Sequence, residues 1–149
     1  GNVEPILAAA GAAPALAAMP AAGRPASKVA SIGEKDTIAV PVVRLDAYFV
    51  GKRAPNVMKV DVEGFELEVL RGAEGILRSG PALFVELHES MADFGASPRD
   101  VLTILFDHGY TVRTASHRAE NVSLQDVADG GLPPRLRNRM VFCERGSAA

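Results

Sequence analysis

The sequence predicts an α/β fold, with helices packed on a mostly parallel sheet that ends in an antiparallel strand. Three observations carry this reading. Asn56 to Gly72 reads as a short strand, a glycine turn and an amphipathic helix in direct succession. Strand and helix patterns then alternate, which favours parallel pairing through crossovers. The last two apolar runs have no helix between them long enough for a crossover, so an antiparallel terminal pair suits them better.

Element by element, Val3 to Ala10 is apolar and predicts a buried strand. Residues 11–38 are low in complexity, rich in Ala, Gly, Pro and Ser, and predict an irregular loop with short extended pieces. Ile38 to Leu45 is a second apolar run, and Asp46 is placed to cap a short helical turn through Phe49. In the strand at 57–62, Val57, Met58, Val60 and Val62 supply the apolar content, while Lys59, Asp61 and Glu63 share the other face. The helix predicted over 65–79 repeats Phe65, Val69, Leu70, Ala73, Ile76 and Leu77 at helical spacing. Glu66, Glu68, Arg71, Glu74 and Arg78 are assigned to its exposed face, and Gly80-Pro81 stops it.

Ala82 to His88 is the next strand. Ser97-Pro-Arg-Asp100 is a helix start, with Ser97 as cap, Pro98 at the first position and Asp100 closing a capping box. That helix turns Val101, Leu102, Leu105 and Phe106 inward and ends at Gly109. Tyr110 to Thr114 and Arg139 to Glu144 complete the strands.

Composition narrows the function classes. The 149 residues amount to one domain, 48% hydrophobic and 23% charged, both ordinary for a globular chain. Sixteen basic and eighteen acidic residues give a net charge of −2, against the basic footprint of a nucleic-acid binder. Trp is absent, so a base-stacking platform is also disfavoured. The single cysteine, Cys143, excludes an intrachain disulfide and reads as a small buried residue of a terminal strand. The Ala-rich stretch from Leu7 to Ala22 has no basic region before it and is interrupted by Pro14 and Pro20. No apolar run approaches the ~18 residues of a membrane span. The expectation is a soluble, cytoplasmic protein without a membrane partner.

Ligands of open α/β sheets collect at the carboxyl ends of strands. Asp61 stands at such an end, and Glu86 and His88 share one face of the following strand. Two acids and an imidazole there could orient an acceptor hydroxyl, remove its proton, or bind a divalent cation. Lys59, in the same charged row, joins them as a candidate or serves as a structural partner. Asp61 could instead cap the following helix, and Glu63 suits a cap or turn better than chemistry. His108, at a helix end, and His117, in a polar loop, read as structural or solvated, and Arg135, Arg137 and Arg139 as a solvated turn. Asp93-Phe-Gly-Ala96 imitates part of a cofactor-binding glycine turn, but no apolar strand precedes it.

Lys59-Val-Asp-Val-Glu-Gly-Phe-Glu66, followed by Leu70-Arg-Gly-Ala73, resembles the signature of the FkbM-type methyltransferases. Val42-Val-Arg-Leu-Asp46 and Leu83-Phe-Val-Glu-Leu-His88 are similar to the segments that flank it in that family. Asn2-Val-Glu-Pro-Ile-Leu-Ala-Ala-Ala-Gly11 is similar to the third strand of that domain. The resemblance implies a Rossmann-like class I methyltransferase fold, S-adenosylmethionine as cofactor, and methyl transfer to a hydroxyl of a sugar or other small acceptor. It implies cofactor contacts at Ala9, Ala10 and Asp61, and the catalytic set read from the residues is Asp61, Glu86, His88 and Lys59.

No Gly-rich turn after a first strand, and no ribose-binding acid after a second, is present to fill the main cofactor-binding roles. The chain therefore reads as the carboxyl-terminal part of a methyltransferase domain lacking two strands. A missing amino-terminal half, or an oligomer, is expected to cover the exposed sheet edge. Two other readings compete: a metal-assisted hydrolase using Asp61, Glu86 and His88, and a non-catalytic remnant that keeps the fold for interaction.

Overall fold

The computed structural model describes residues 2–20, 37–129 and 131–146. Its elements run β1 (Ala9–Ala10), β2 (Ala15–Pro20), β3 (Thr37–Val43), α1 (Leu45–Tyr48), β4 (Val57–Val60), α2 (Glu66–Arg71), α3 (Glu74–Ser79), β5 (Ala82–Leu87), α4 (Pro98–Asp107), β6 (Tyr110–Thr114) and β7 (Arg139–Arg145). They form two sheets, one of order β1-β3-β2 and one of order β4-β5-β7-β6.

β4 and β5 are parallel neighbours, with Lys59 opposite Phe84 and Val60 opposite Val85. β7 is antiparallel to both β5 and β6 and lies between them. The sheet is thus mixed rather than mostly parallel, with a single parallel pair. Among its described residues the connection from β6 to β7 carries only a short 3-10 turn at Leu124–Val127, not the α-helix usual in a parallel crossover. The central position of β7 explains the full burial of Val141 and Cys143. Burial also pushes the Cys143 thiol up to about 12.

The amino-terminal part departs further from expectation. The strand predicted over 3–10 contracts to Ala9–Ala10, and Val3 and Leu7 are exposed. The parallel register sets Ala9 against Val42, which would place Ala8 against Pro41. A proline has no N–H to give a ladder, so pairing ends there. Residues 15–20, expected in an irregular loop, pair with β3 along their whole length. Much of that predicted loop, residues 21–36, lies outside the described residues.

The predicted helix over 65–79 is two helices, parted at Gly72 and Ala73. A Cβ on Gly72 would stand 2.1 Å from the Gly11 carbonyl oxygen, so the break is where the exit of β1 meets the helical segment. Asp46, expected to cap α1, does not do so: the N-cap there is Arg44, without a side-chain bond. Instead the Asp46 carboxylate accepts from Gly75 N at 2.9 Å and Ile76 N at 3.0 Å. It caps α3, whose own N-cap residue, Ala73, has no side-chain oxygen to offer.

The capping box at Ser97 and Asp100 forms as read from the sequence, and α4 turns Val101, Leu102 and Leu105 into the core, with Phe106 only half-buried. These meet Leu67, Val69 and Leu70 of α2, Leu77 of α3, and Leu83, Val85 and Leu87 of β5 in one cluster. The Tyr110 hydroxyl donates to the carbonyls of Pro81 at 3.0 Å and Leu77 at 3.2 Å, tying β6 to the α3–β5 turn. No described helix is long and apolar enough to cross a membrane.

Candidate functional site around His88

β4 ends at Val60, and the chain turns through Asp61, Val62, Glu63 and Gly64 into α2. Glu63 (φ 54°) and Gly64 (φ 110°) both lie on the left-handed side. Only glycine fits at 64, because a Cβ there would stand 2.8 Å from the backbone of Ser90. Ser90 also donates its hydroxyl to the Glu63 carbonyl at 2.8 Å, holding the turn against the segment after β5.

Four carboxylates surround one imidazole. His88, just past β5, is 7% exposed. Its Nε2 lies 3.6 Å from Glu63 Oε2, 3.7 Å from Glu86 Oε1 and 3.9 Å from Asp61 Oδ1. These separations exceed hydrogen-bond length, so none of the three carboxylates is hydrogen-bonded to Nε2. On the other side, His88 Nδ1 is 2.7 Å from Oε1 of Glu66. Lys59 Nζ sits 2.5 Å from Asp61 Oδ2, which places a positive charge on the outer side of that carboxylate.

The structure therefore brings together Asp61, Glu86, His88 and Lys59, and adds Glu63 and Glu66. Glu63, read from the sequence as a turn or cap residue, does shape the turn while its side chain faces His88. Glu66, assigned to an exposed helix face, is fully buried, a correction with a geometric cause. It stands three and four residues before Val69 and Leu70, so it shares their inward face. That spacing was the available signal, obscured by the residue's charge. Elsewhere, His108 donates Nδ1–H to the Ile104 carbonyl at 2.8 Å, a helix-end role. Arg135 is paired with Glu120 and Asp126, and Arg137 with Glu89.

A cavity of about 580 Å³ opens beside this cluster. Glu86 lines it, together with Thr114, Ala115, Ser116, Glu120, Arg135, Asn138, Arg139 and Met140. It lies where β5 and β6 end and β7 begins, is lined mostly by polar residues, and falls in the size range of small-ligand sites.

Residues 4–112 match the family described as the methyltransferase FkbM domain. The chain belongs to the FkbM methyltransferase family. Over 51 residues it is 49% identical to the hexuronic acid methyltransferase AglP of Haloferax volcanii. That stretch is 34% of this chain and 19% of the relative, so the match spans about a fifth of the curated protein's length. No solved structure matches.

The FkbM family implies S-adenosylmethionine, and the candidate contacts for it are Ala9, Ala10 and Asp61. Ala9 and Ala10 are committed to β3 in the three-stranded sheet, and the following Gly11 lies against the Phe65 ring. Asp61 is engaged by Lys59. The left-handed Gly64 is closed by Ser90, so no open backbone cradle accompanies Asp61 in this turn. These residues do not by themselves fit the cofactor. For a cation, Asp61, Glu63 and His88 present ligand atoms within 4.8 Å of one another. That spacing suits a divalent ion, but Lys59 already neutralises one of the two carboxylates.

Proposed function

We propose that this FkbM domain supplies the acceptor side of an S-adenosylmethionine-dependent methyl transfer to a hydroxyl oxygen. The acceptor is a sugar or another small polyhydroxylated metabolite. One observation carries the reading: His88 is anchored at Nδ1 while its Nε2 lies 3.7 Å from Glu86, which itself lines the polar cavity.

The cavity is where the acceptor is placed. Thr114, Ser116 and Asn138 offer hydroxyl and amide groups that suit a polyhydroxylated ligand, and Glu86 borders both the cavity and His88. The relative's activity as named, a hexuronic acid methyltransferase, supports a sugar acceptor. His88 Nε2 accepts the proton of the acceptor hydroxyl as that oxygen becomes nucleophilic. The resulting imidazolium stands among the carboxylates of Asp61, Glu63, Glu66 and Glu86. S-adenosylmethionine, when bound, supplies an electrophilic methyl group. Its cradle is assigned to protein outside the described residues, seated along the open edge of β4, where Val57 is exposed.

A metal-assisted reaction at Asp61, Glu63 and His88 is the second reading, favoured by the spacing of their ligand atoms. One experiment separates the two. In the full-length gene product, His88→Ala is expected to lower turnover about 10²- to 10⁴-fold, the loss typical of a general base. Chelation is expected to leave turnover intact. Unchanged turnover in His88→Ala would remove the base assignment. Turnover abolished by chelator and restored by Mg²⁺ or Mn²⁺ would select the metal reading.

A further inference from the structure

We infer that Glu66 is a positioning residue of this site, fixing which nitrogen of His88 carries the proton. The inference rests on the general-base reading above and assigns a role to a residue that does not reach the acceptor.

Glu66 is fully buried, a costly place for a carboxyl group unless its interactions compensate. Its Oε1 accepts from Gly64 N at 3.1 Å and, more weakly, from Val62 N at 3.4 Å, and it meets His88 Nδ1 at 2.7 Å. A backbone N–H is always a donor. As a carboxylate Glu66 carries no hydrogen to donate, so its Oε1 is an acceptor towards His88 as well. Nδ1 must then carry hydrogen, and neutral His88 holds its lone pair on Nε2, the atom facing Glu63, Glu86 and Asp61. The opposite tautomer would place a lone pair against the Glu66 oxygen and leave Nε2 unable to accept a proton.

The backbone around Glu66 is made for this contact. The tight turn at Glu63 and Gly64 points the N–H of Gly64 at the carboxylate, and Ser90 locks that turn. Among the described residues, Glu66 Oε2 has no hydrogen-bond partner. The carboxylate is thus engaged through the single oxygen that touches the imidazole. Packing alone gives no reason for a charge between Phe65 and Leu67 on the inward side of α2. Orientation of His88 does.

The test uses the full-length protein, its Glu66→Gln variant and His88→Ala. Long-range ¹H–¹⁵N correlation of the imidazole is expected to show the Nδ1–H form for His88 in the wild type. In Glu66→Gln the amide oxygen can keep the backbone bonds while the charge is lost. Its kcat is expected to fall about 10- to 10²-fold, the range for a group that orients a functional histidine. The acceptor KM is expected to change by less than about twofold, because Glu66 touches no acceptor. The acid limb of the pH profile should move to lower pH, since the imidazolium loses a neighbouring anion.

A wild-type Nε2–H tautomer would overturn the inference. So would a Glu66→Gln enzyme with unchanged kcat and pH profile while His88→Ala is inactive. If His88→Ala itself keeps full turnover, the base reading falls, and the tautomer measurement still decides what Glu66 does. Should Glu66→Gln fail to fold, the wild-type tautomer alone carries the decision.

Discussion

Asp46 and Gly75 allow a quantitative test of the packing that holds the site. Asp46→Ala removes two carboxylate–amide bonds of 2.9 and 3.0 Å from the second and third residues of α3. Loss of a cap costs about 0.5–2 kcal/mol, and a negative charge at a helix start adds about 0.3–1 kcal/mol. The ion pair of Asp46 with Arg44, at 3.5 Å and half in solvent, adds little. A cost of about 2 kcal/mol is expected, a fall in Tm of about 4–8 °C for a chain this long.

Gly75→Ala sharpens the test. In an open helix it would stabilise by about 0.5–1 kcal/mol. Here the new Cβ would stand 2.9 Å from Asp46 Oδ1 and 3.1 Å from its Cγ, so the carboxylate must move off its amides. The substitution is therefore expected to destabilise the wild type and to stabilise the Asp46→Ala background. Urea unfolding of the four variants, followed by circular dichroism, gives the coupling energy, expected to exceed about 1 kcal/mol. Additive effects, or an Asp46→Ala cost below about 0.5 kcal/mol, would refute the long-range cap.

Two further outcomes are expected of the 149-residue chain itself. Calorimetric titration with S-adenosylhomocysteine should give binding weaker than micromolar, that is, less favourable than about −8 kcal/mol; micromolar affinity would show that the cofactor site is misplaced here and that this chain holds more of it than Ala9, Ala10 and Asp61. Cys143, buried and with its thiol pushed up to about 12, should resist a thiol reagent at pH 8 in the folded chain and react on unfolding. Fast labelling of the native protein would contradict its central place in β7.

The sequence alone determined the elements whose pattern is local. Period-two alternation and a glycine turn placed β4 and the start of α2, and the spacing of Ser97 and Asp100 placed the start of α4. The convergence of Asp61, Glu86 and His88 was also legible, because parity along a strand is local and a strand–helix–strand pattern favours parallel pairing of its two strands.

What needed the tertiary structure was the choice of partner beyond the β4–β5 pair. β7 lies between β5 and β6 rather than outside them, because strand order depends on where a long connection returns. Pro41 limits β1 only once the register sets Ala8 opposite it. Asp46 caps a helix 29 residues away, because the backbone break at Gly72, whose carbonyl accepts from Asp46 N, brings the two segments together. Glu66 faces inward by its helical spacing, but the partner that compensates its burial is of the same long-range kind. The cost of burying its charge is offset by His88 and by the amides of the Gly64 turn, which only folding places beside it.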